Sequence, residues 1–408
     1  MMENVMDVVV VGAGPVGMTA ALAARKEGLS CTIVEAEPQD RVRAGSRAIY
    51  IHKETLKLLE EVSEGLGFRL ARNGVIWPIK RTLYRGKEVY VRNYGITNNK
   101  DSKQLPHFTS LHQREIEKYL YEACVEAGVS FVWGEPIEKL DIREEGVTIT
   151  SVNGTSWEAK YIIGADGARS KVREEAGLKL EGPRTNDTFL VVDVKDDDED
   201  PMPLERVFHY HHPAMGKRNV MLVPFKGGVR VDLQLLPDDR LEDYVSEEAV
   251  KEWIPLVMPE KYAERITWVS SYRFHQVVVN EFTDSHRRIL LAGEAAHLFA
   301  PFGARGLNSG VPDAVIALRG IRKAEDSETN DERRRAIEQA ATERRIAALW
   351  NRDGSTTALN HLQGASDEMD MKRELAASLV SVVPTLGRWL DEGPYGPKFG
   401  PPELTTKY

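Results

Sequence analysis

Three glycines near the start of the chain have the spacing of a phosphate-binding turn. The pattern Gly12-x-Gly14-x-x-Gly17 follows a run of valines and opens a segment of helix-forming residues. The first glycine permits a tight turn, the second lets a pyrophosphate approach the backbone, and the third lets helix and strand pack closely. The helix N-terminus offers amide hydrogens to the phosphate. We therefore predict a dinucleotide site formed by Gly12, Gly14, Pro15, Val16 and Gly17.

An acidic residue completes this first pattern. Glu35 follows the apolar stretch "CTIV", about 20 residues after the glycines, where a second strand is expected to end. A carboxylate at this position accepts hydrogen bonds from ribose hydroxyl groups and repels a phosphorylated ribose. Glu35 therefore favours FAD or NAD over NADP as the bound dinucleotide.

Two further apolar segments also end in a glycine and an acid. "YIIGADG" places Asp166 at the tip of a predicted strand, where it could accept a ribose hydroxyl, although Asp-Gly turns are common without any function. "RRILLAGEAAH" places Gly293 and Glu294 in the same way, and this carboxylate could bind a polyol. His297 could either cap backbone groups of the turn or take part in catalysis, and the sequence leaves both readings open.

The stretch "PFGARGLNSG" that follows is rich in small residues. Its glycines leave backbone amides uncovered, so a planar ring could approach the chain between Pro301 and Asn308. Asn308 adds a side-chain donor and acceptor next to the start of another predicted helix. We therefore include Pro301, Gly306, Leu307 and Asn308 among the predicted cofactor-binding residues.

The elements that must position these residues indicate an α/β fold. The N-terminal stretch reads as a strand, a glycine turn, a helix and a second strand, which is a βαβ unit. We expect a Rossmann-like dinucleotide-binding domain built from discontinuous segments, an inserted β-sheet-rich substrate domain and a helical C-terminal segment. The predicted segments are 1–75, 109–178 and 276–322 for the first domain, 76–108 and 179–275 for the second, and 323–408 for the helical part.

The composition excludes several classes of protein. The 408 residues exceed what one compact core usually holds, and the net charge of −9 disfavours nucleic acid and anionic membranes as partners. The two cysteines indicate neither a disulfide framework nor a metal cluster, so we expect no metal. We find no signal peptide and no stretch long enough to span a membrane, and we expect a cytoplasmic protein.

Together these motifs resemble those of the class A FAD-dependent aromatic hydroxylases, the p-hydroxybenzoate hydroxylase-like flavoprotein monooxygenases. The resemblance extends from about residue 6 to residue 322 and implies that FAD is the dinucleotide. It implies that the first glycines bind the FAD pyrophosphate and that Asp166 touches FAD and the nicotinamide donor. It further implies that Gly293 and Glu294 hold the ribityl chain, and that the loop after Pro301 runs beside the isoalloxazine ring.

Two more residues gain a role only from the resemblance. Arg47 in "SRAIYIHKETLKLL" matches an arginine near FAD and the donor, and Gln113 in "LHQREIEKYL" matches a glutamine that contacts the flavin. The chain also departs from the family, because Glu294 replaces the usual aspartate. The additional methylene group requires a shift of the backbone or a changed position of the flavin.

The resemblance implies an NAD(P)H-consuming monooxygenase. The reduced flavin would react with O₂ to form a C4a-hydroperoxide, which hydroxylates a small or polyketide-like phenolic substrate. Two alternatives remain at this stage: an FAD-dependent reductase or oxidase without hydroxylation, and a non-catalytic flavin-binding redox protein. Both a monomer and a homodimer agree with the sequence.

The region expected to contact substrate carries no recognisable motif, and no catalytic base can be named. In "VFHYHHP" the alternation of a strand predicts His209 and His211 on one face and Tyr210 and His212 on the other. These residues could equally be ordinary members of a sheet. The candidates for contacting the substrate are Trp77, Tyr94, His209, Tyr210, His211, His212 and Tyr272. Among them, Tyr210, His211 and Tyr272 are the candidates for catalysis.

Overall fold

The computed structural model describes residues 5–41, 50–95, 103–363 and 367–396. Within these ranges the chain forms two seven-stranded sheets, two smaller sheets and eleven α-helices, so it is an α/β protein. The helices are α1 (Pro15–Lys26), α2 (Lys53–Val62), α3 (Leu66–Asn73), α4 (Gln113–Glu126), α5 (Lys171–Glu175), α6 (Glu242–Val245), α7 (Glu247–Val257), α8 (Arg305–Glu325), α9 (Asn330–Gln363), α10 (Asp367–Leu379) and α11 (Pro384–Glu392).

The strands of the first half of the chain are β1 (Met6–Val11), β2 (Cys31–Glu35), β3 (Tyr50–His52), β4 (Ile79–Tyr84), β5 (Lys87–Asn93), β6 (Phe108–Ser110), β7 (Ser130–Trp133), β8 (Ile137–Ile142), β9 (Val147–Ser151) and β10 (Ser156–Gly164). Those of the second half are β11 (Leu180–Glu181), β12 (Arg184–Lys195), β13 (Glu205–Tyr210), β14 (Val220–Phe225), β15 (Gly228–Gln234), β16 (Ile266–His275), β17 (Val277–Val279), β18 (Ile289–Leu291) and β19 (His297–Leu298).

The first seven-stranded sheet has a parallel centre. The strands β7, β2, β1, β10 and β18 lie side by side and run in the same direction, and the antiparallel β9 and β8 extend the sheet beyond β10. The centre of this sheet is buried on both faces, as in β1, where the successive residues Val8 to Val10 are all fully buried. This order brings the carboxyl ends of β1, β2, β10 and β18 to one edge of the sheet, where α/β proteins bind their ligands.

The second seven-stranded sheet has the order β16-β12-β15-β14-β13-β4-β5 and is antiparallel except between β13 and β4. One face, with Leu190 and Val231, packs against α7. Because side chains alternate along a strand, Phe189, Phe208 and Tyr210 lie on the opposite face, which packs against the C-terminal helices and which we call the inner face.

A two-residue turn joins β4 and β5 into a hairpin. Arg85 has a φ of 48° and Gly86 a φ of 81°, and these two residues alone connect the strands. Two successive positive φ angles define a type I′ turn, whose twist matches that of the flanking strands.

The alternation predicted for the histidine-rich strand is wrong beyond Tyr210. His211 has a φ of 48°, so β13 ends before it and the alternation of side chains stops. The ring of His209 consequently lies 4.6 Å from that of His212, measured between centroids, while His211 packs 5.4 Å from the ring of Tyr84.

Candidate active site

The glycine turn after β1 has no room for side chains. A Cβ atom on Gly12 would lie 2.5 Å from the carbonyl oxygen of Ala165, and one on Gly17 would lie 1.9 Å from the carbonyl oxygen of Gly12. Gly14 is the N-cap of α1, and no side chain caps this helix. The first amides of α1 are thus left for another acceptor, and its positive end suits a phosphate.

Glu35, at the end of β2, holds the loop that carries these glycines. Its Oε2 accepts a hydrogen bond of 2.6 Å from the amide of Ala13, and its Oε1 accepts one from the amide of Glu37 and pairs with Arg41 at 3.0 Å. A carboxylate has roughly four acceptor positions, so these three contacts leave room for one hydroxyl group. Glu35 is nine-tenths buried and therefore fixed in place.

Asp166 lies at the end of β10 with half of its carboxylate engaged. Its Oδ2 accepts a hydrogen bond of 3.0 Å from the amide of Val172 at the start of α5. Its Oδ1 is buried and makes no hydrogen bond of acceptable geometry to any described residue. Burial raises the pKa of this carboxyl group because it disfavours the charged form. A hydrogen bond from a hydroxyl group of a ligand to Oδ1 would stabilise that charged form.

The structure brings the three motifs predicted from the sequence into direct contact. Arg173 donates to the carbonyl oxygens of Ala168, just after Asp166, and of Ala295, just after Glu294. The side chain of Val16 packs against Gly293 and Gly310. A Cβ atom on Gly293 would lie 3.0 Å from this side chain, and a Cβ atom on Gly310 would lie 2.5 Å from it. Small residues at these points allow the three turns to share one edge of the parallel sheet.

Glu294 is exposed in a short 3₁₀ helix, Gly293–Ala295, directly after β18. The position of this turn depends on Asp313, a buried residue of α8. Asp313 accepts hydrogen bonds from the amide of Gly293 at 3.1 Å and from Arg344 Nε at 2.8 Å, and its Oδ2 lies 2.6 Å from His297 Nε2. The carboxylate of Asp313 thus holds in place the turn that carries the exposed Glu294.

This geometry decides between the two readings of His297. The imidazole is 1% exposed, binds Asp313 and stacks on Phe299 with 4.5 Å between centroids, so it is part of the support beneath the turn. Burial raises the pKa of Asp313, but His297 and Arg344 outweigh it and hold that pKa below its usual value. Asp313 is therefore ionised and acts as a fixed negative anchor.

The loop from Pro301 to Asn308 contains two consecutive residues in left-handed conformations, Gly303 with a φ of 81° and Ala304 with a φ of 55°. His52 Nε2 lies 3.1 Å from the carbonyl oxygen of Gly303 and holds the loop against β3. Gly306 is exposed, and a Cβ at this position would meet no atom within 4 Å. A flat ring could therefore lie directly on this backbone.

Asn308 supports the loop through contacts within the protein. Its Oδ1 accepts hydrogen bonds from the amide of His52 and from Thr55 Oγ1, and its Nδ2 donates to the carbonyl oxygens of Tyr50 and Ala304. These four bonds use the capacity of the amide, so Asn308 ties α8 to β3 and α2 instead of presenting polar atoms to a ligand.

The family resemblance implies roles for Gln113 and Arg47. Gln113 begins α4, and its Nε2 donates a hydrogen bond of 2.7 Å to Glu117 on the same helix. Arg47 lies outside the described residues.

The candidates for contacting substrate are separated in the structure. Tyr210 is fully buried, and its hydroxyl group lies between His361 Nε2 at 2.9 Å and the carbonyl oxygen of Leu390 at 2.7 Å, an arrangement that favours a packing role. Tyr272 is half-buried and packs against the same apolar cluster, but it stands on β16, four strands away from β13 in the sheet. Trp77 and Tyr94 belong to a different cluster with Phe108.

Sequence reasoning missed Asp313 and Arg344, which hold the turn of Glu294. A signal was present in α8, because Asp313 stands on the apolar side of the helix between Val311 and Ala314. An acid in that position requires a buried partner. The partner, Arg344, is contributed by α9 and is recognisable only once the two helices are paired.

An edge with a glycine turn, an uncapped helix and acids at successive strand ends is typical of a dinucleotide-binding protein. Residues 5–348 match the FAD binding domain family, so the chain belongs to that family and FAD is its cofactor. The orphaned Oδ1 of Asp166 and the open backbone of Gly306 both fit this group.

Curated relatives extend this comparison. The para-nitrophenol 4-monooxygenase of Pseudomonas sp. (strain WBC-3) is 28% identical over 77% of this chain and 77% of its own length. The 6-methylpretetramide 4-monooxygenase of Streptomyces rimosus is 28% identical over 76% of this chain, which spans 54% of that protein. The chain thus covers between about half and three quarters of these two relatives.

Solved structures share the fold. The p-nitrophenol 4-monooxygenase of Pseudomonas putida DLL-E4 matches 98% of this chain and 100% of its own with a TM-score of 0.75 and 23% identity. The anhydrotetracycline hydroxylase of Streptomyces rimosus matches 96% of this chain and 75% of its own with a TM-score of 0.69 and 24% identity. Within the described ranges, every helix is too short or too polar to cross a bilayer.

Proposed function

We propose that this chain is an FAD-dependent, NAD(P)H-consuming monooxygenase that hydroxylates a phenolic ring. The observation that carries the proposal is the meeting of the three motif turns at one edge of the parallel sheet, with the bare backbone of Gly306 beside them. The relatives named as monooxygenases of para-nitrophenol and of 6-methylpretetramide support the phenolic class of substrate.

Each turn has a distinct task in this proposal. The amides that follow Gly14 bind the pyrophosphate, and Glu35 uses its remaining acceptor position for a ribose hydroxyl. Asp166 accepts a hydroxyl group on its orphaned Oδ1, and Glu294 accepts hydroxyls of the ribityl chain. Asp313 does not touch the cofactor and acts by fixing the turn of Glu294.

Bound FAD would supply the electron transfer and the activation of oxygen, which no amino-acid side chain can provide. The protein must hold the substrate ring next to the loop from Pro301 to Asn308 and exclude water from the space between them. Phe302 in this loop packs against Phe189 and Phe274, with 5.3 and 5.6 Å between ring centroids. These rings close one side of that space with apolar surface.

We further propose that the two large sheets divide the work as the predicted domains do. The parallel sheet and the segments around it would bind FAD, and the inner face of the antiparallel sheet would bind the substrate. The positions of the strands in the sequence support this division. Residues 79–93 and 184–275 form the antiparallel sheet, and the motif turns all lie outside these ranges. The C-terminal helices would cover the inner face.

The experiment follows NADH and NADPH oxidation in air by the FAD-loaded protein with a panel of phenols and polycyclic phenolic compounds. We expect one class of phenol to accelerate oxidation and to gain the mass of one oxygen atom. If the protein binds no FAD, the whole proposal fails. Oxidation of the nicotinamide that no phenol accelerates would instead favour an oxidase without hydroxylation.

A further inference from the structure

A cavity lies at the amino end of β18, whereas the turn of Glu294 follows its carboxyl end. The volume of this cavity is about 50 Å³, and its lining includes four arginines. Arg287 and Arg288 directly precede β18, and Arg333 and Arg334 lie near the start of α9. One water molecule needs roughly 10 to 15 Å³ of such space, so the cavity has room for a small polyatomic group. The described residues that line it include none of the predicted FAD contacts.

Three of these four arginines have no acidic partner. Among the described residues, no carboxylate oxygen lies within 4.0 Å of the guanidinium groups of Arg288, Arg333 and Arg334. Arg287 differs from them, because its Nε lies 2.9 Å from a carboxylate oxygen of Glu338. In a chain with a net charge of −9, such a concentration of uncompensated positive charge calls for a specific reason.

The three guanidinium groups also retain most of their hydrogen-bond donors. Arg288 uses Nε, at 2.8 Å, and Nη2 to donate to the carbonyl oxygen of Glu144. Arg334 Nη2 donates a hydrogen bond of 3.1 Å to the carbonyl oxygen of Ser285. Arg333 Nε is buried and has no hydrogen-bond partner among the described residues. Because each guanidinium carries five N–H donors, the cluster has donors in excess and lacks acceptors.

A buried aspartate fixes the turn that carries two of these arginines. The carboxylate of Asp284, a residue that is 3% exposed, accepts hydrogen bonds from the amides of His286 at 2.7 Å, Arg288 at 2.7 Å and Ile289 at 2.8 Å. Within this turn Arg287 has a φ of 62°, a left-handed conformation that residues other than glycine rarely adopt. The backbone from which Arg287 and Arg288 project is therefore held in place before a ligand binds.

The remaining lining makes the cavity electropositive. Tyr161 and Ile337, both 1% exposed, line it, and Arg288 Cζ lies 5.0 Å from the centroid of the Tyr161 ring. The one acid among the described lining residues is Glu144, which is exposed. Four guanidinium groups thus share the lining with a single carboxylate.

We propose that this cavity binds the phosphate group of a small ligand, with Arg288, Arg333 and Arg334 as its donors. The planar fork of a guanidinium matches a pair of phosphate oxygens, and a dianion compensates more than one of the three charges. The first amides of α9 are not needed, since Thr329 Oγ1 already accepts a hydrogen bond from the amide of Glu332. The site is separate from the FAD edge and does not depend on which ring is hydroxylated.

Isothermal titration of the FAD-loaded protein with orthophosphate tests the site, because bound FAD then occupies the glycine turn. Sodium chloride keeps the ionic strength constant, and glycerol 3-phosphate is titrated in parallel. We expect saturable binding of phosphate and a melting temperature that rises with its concentration. Tighter binding of the ester identifies an organic phosphate as the ligand, and tighter binding of orthophosphate identifies the free ion.

The variant Arg333→Gln should weaken phosphate binding about tenfold to a hundredfold, because it removes charge-assisted hydrogen bonds. Arg333→Lys should retain part of the affinity, and Arg334→Gln is a second variant that should also weaken binding. Arg335→Gln is the matched control. It removes an equal charge from the same helix, but Arg335 is exposed, donates to the carbonyl oxygen of Asp331 at 3.2 Å and does not line the cavity. This control should bind phosphate as the unaltered protein does.

Stability distinguishes a binding role from a structural role. Without phosphate, Arg333→Gln should melt at the same temperature as the unaltered protein or higher, because it removes one of several neighbouring like charges. Saturating phosphate should raise the melting temperature of the unaltered protein and leave that of the variant unchanged. An arginine that serves only to hold the fold together would instead lower the melting temperature in both conditions when it is replaced.

Phosphate that binds no more tightly than chloride at equal ionic strength overturns the inference. So does tight binding that survives in Arg333→Gln or in Arg334→Gln, because the phosphate would then lie elsewhere. A loss in Arg335→Gln as large as that in Arg333→Gln also contradicts it, since binding would then depend on general charge. Each of these results leaves the proposed monooxygenase activity standing, because FAD binding and hydroxylation are measured without phosphate.

Discussion

The two sides of the proposed active site differ in the groups that they present: one presents mainly backbone and the other presents side chains. The edge of the parallel sheet is made of turns, where glycines expose backbone and the side chains of Glu35 and Asp166 lie at strand ends. The inner face of the antiparallel sheet is made of side chains that project from strands, such as Arg206 and Asp232. We expect the backbone edge to bind the cofactor and the side chains of the inner face to determine the choice of substrate.

The largest effect should come from filling the backbone edge. Gly17→Val would place its Cβ 1.9 Å from the carbonyl oxygen of Gly12, so α1 must move away from the glycine turn. We expect FAD binding to be lost and the melting temperature to fall. Absorbance of the purified protein in the flavin region measures the first effect. Gly28→Ala is the control, because its Cβ would meet no atom within 4 Å, and it should retain the flavin although Gly28 has a positive φ of 74°.

The next largest effect concerns the anchor below Glu294. Asp313→Ala leaves Arg344 buried without its carboxylate and should cost about 3 to 5 kcal/mol of unfolding free energy. Urea denaturation measures the loss. Asp326→Asn alters an exposed ion pair at the end of the same helix, and its unfolding midpoint should not change. If Asp313→Ala were as stable as this control, the anchor role would be wrong.

A buried carboxyl group on the inner face should make the stability of the protein depend on pH. Burial raises the pKa of Asp232 from 3.8, the value of the free side chain, to about 6, and Arg230 opposes this shift. The folded state thus binds the proton more tightly, and this group makes the protein less stable as the pH rises from about 4 to about 6. Asp232→Asn should remove this dependence of stability on pH. Above about pH 6 it should raise the free energy of unfolding by on the order of 1 to 3 kcal/mol. Unfolding curves in a pH series check this, and parallel pH profiles of the two proteins would refute it.

The smallest effect is expected at Glu294, where the chain departs from its family. Glu294→Gln keeps the length but not the charge and should weaken FAD binding about tenfold, the loss of one charge-assisted hydrogen bond. Glu294→Asp keeps the charge and shortens the side chain, and it should bind FAD more tightly than the glutamine variant. Fluorescence titration with FAD gives both values, and identical affinities for all three proteins would remove Glu294 from the site.

The same contrast explains what the sequence could predict. Gly12, Gly17 and Glu35 were identified because a turn between a strand and a helix lies within one short segment. The βαβ unit of β1, α1 and β2 lies within such a segment as well, and the FAD binding family matches the chain from residue 5 to 348.

Contacts between distant segments could not be predicted in this way. Asp313 and Arg344 belong to different helices, and Arg206 meets Tyr395 from nearly 200 residues away in the chain. The histidines after Tyr210 were misjudged because a single positive φ at His211 ended the strand, and no glycine marked that point.

The central claim is that FAD at the backbone edge serves hydroxylation of a ring held by the inner face. Product formed by the FAD-loaded protein with NAD(P)H under isotopically heavy oxygen gas tests it most directly by mass spectrometry. The account predicts a phenolic product that carries one heavy oxygen atom. A product without the label, or oxidation of the nicotinamide that yields hydrogen peroxide and leaves every phenol unchanged, would contradict it.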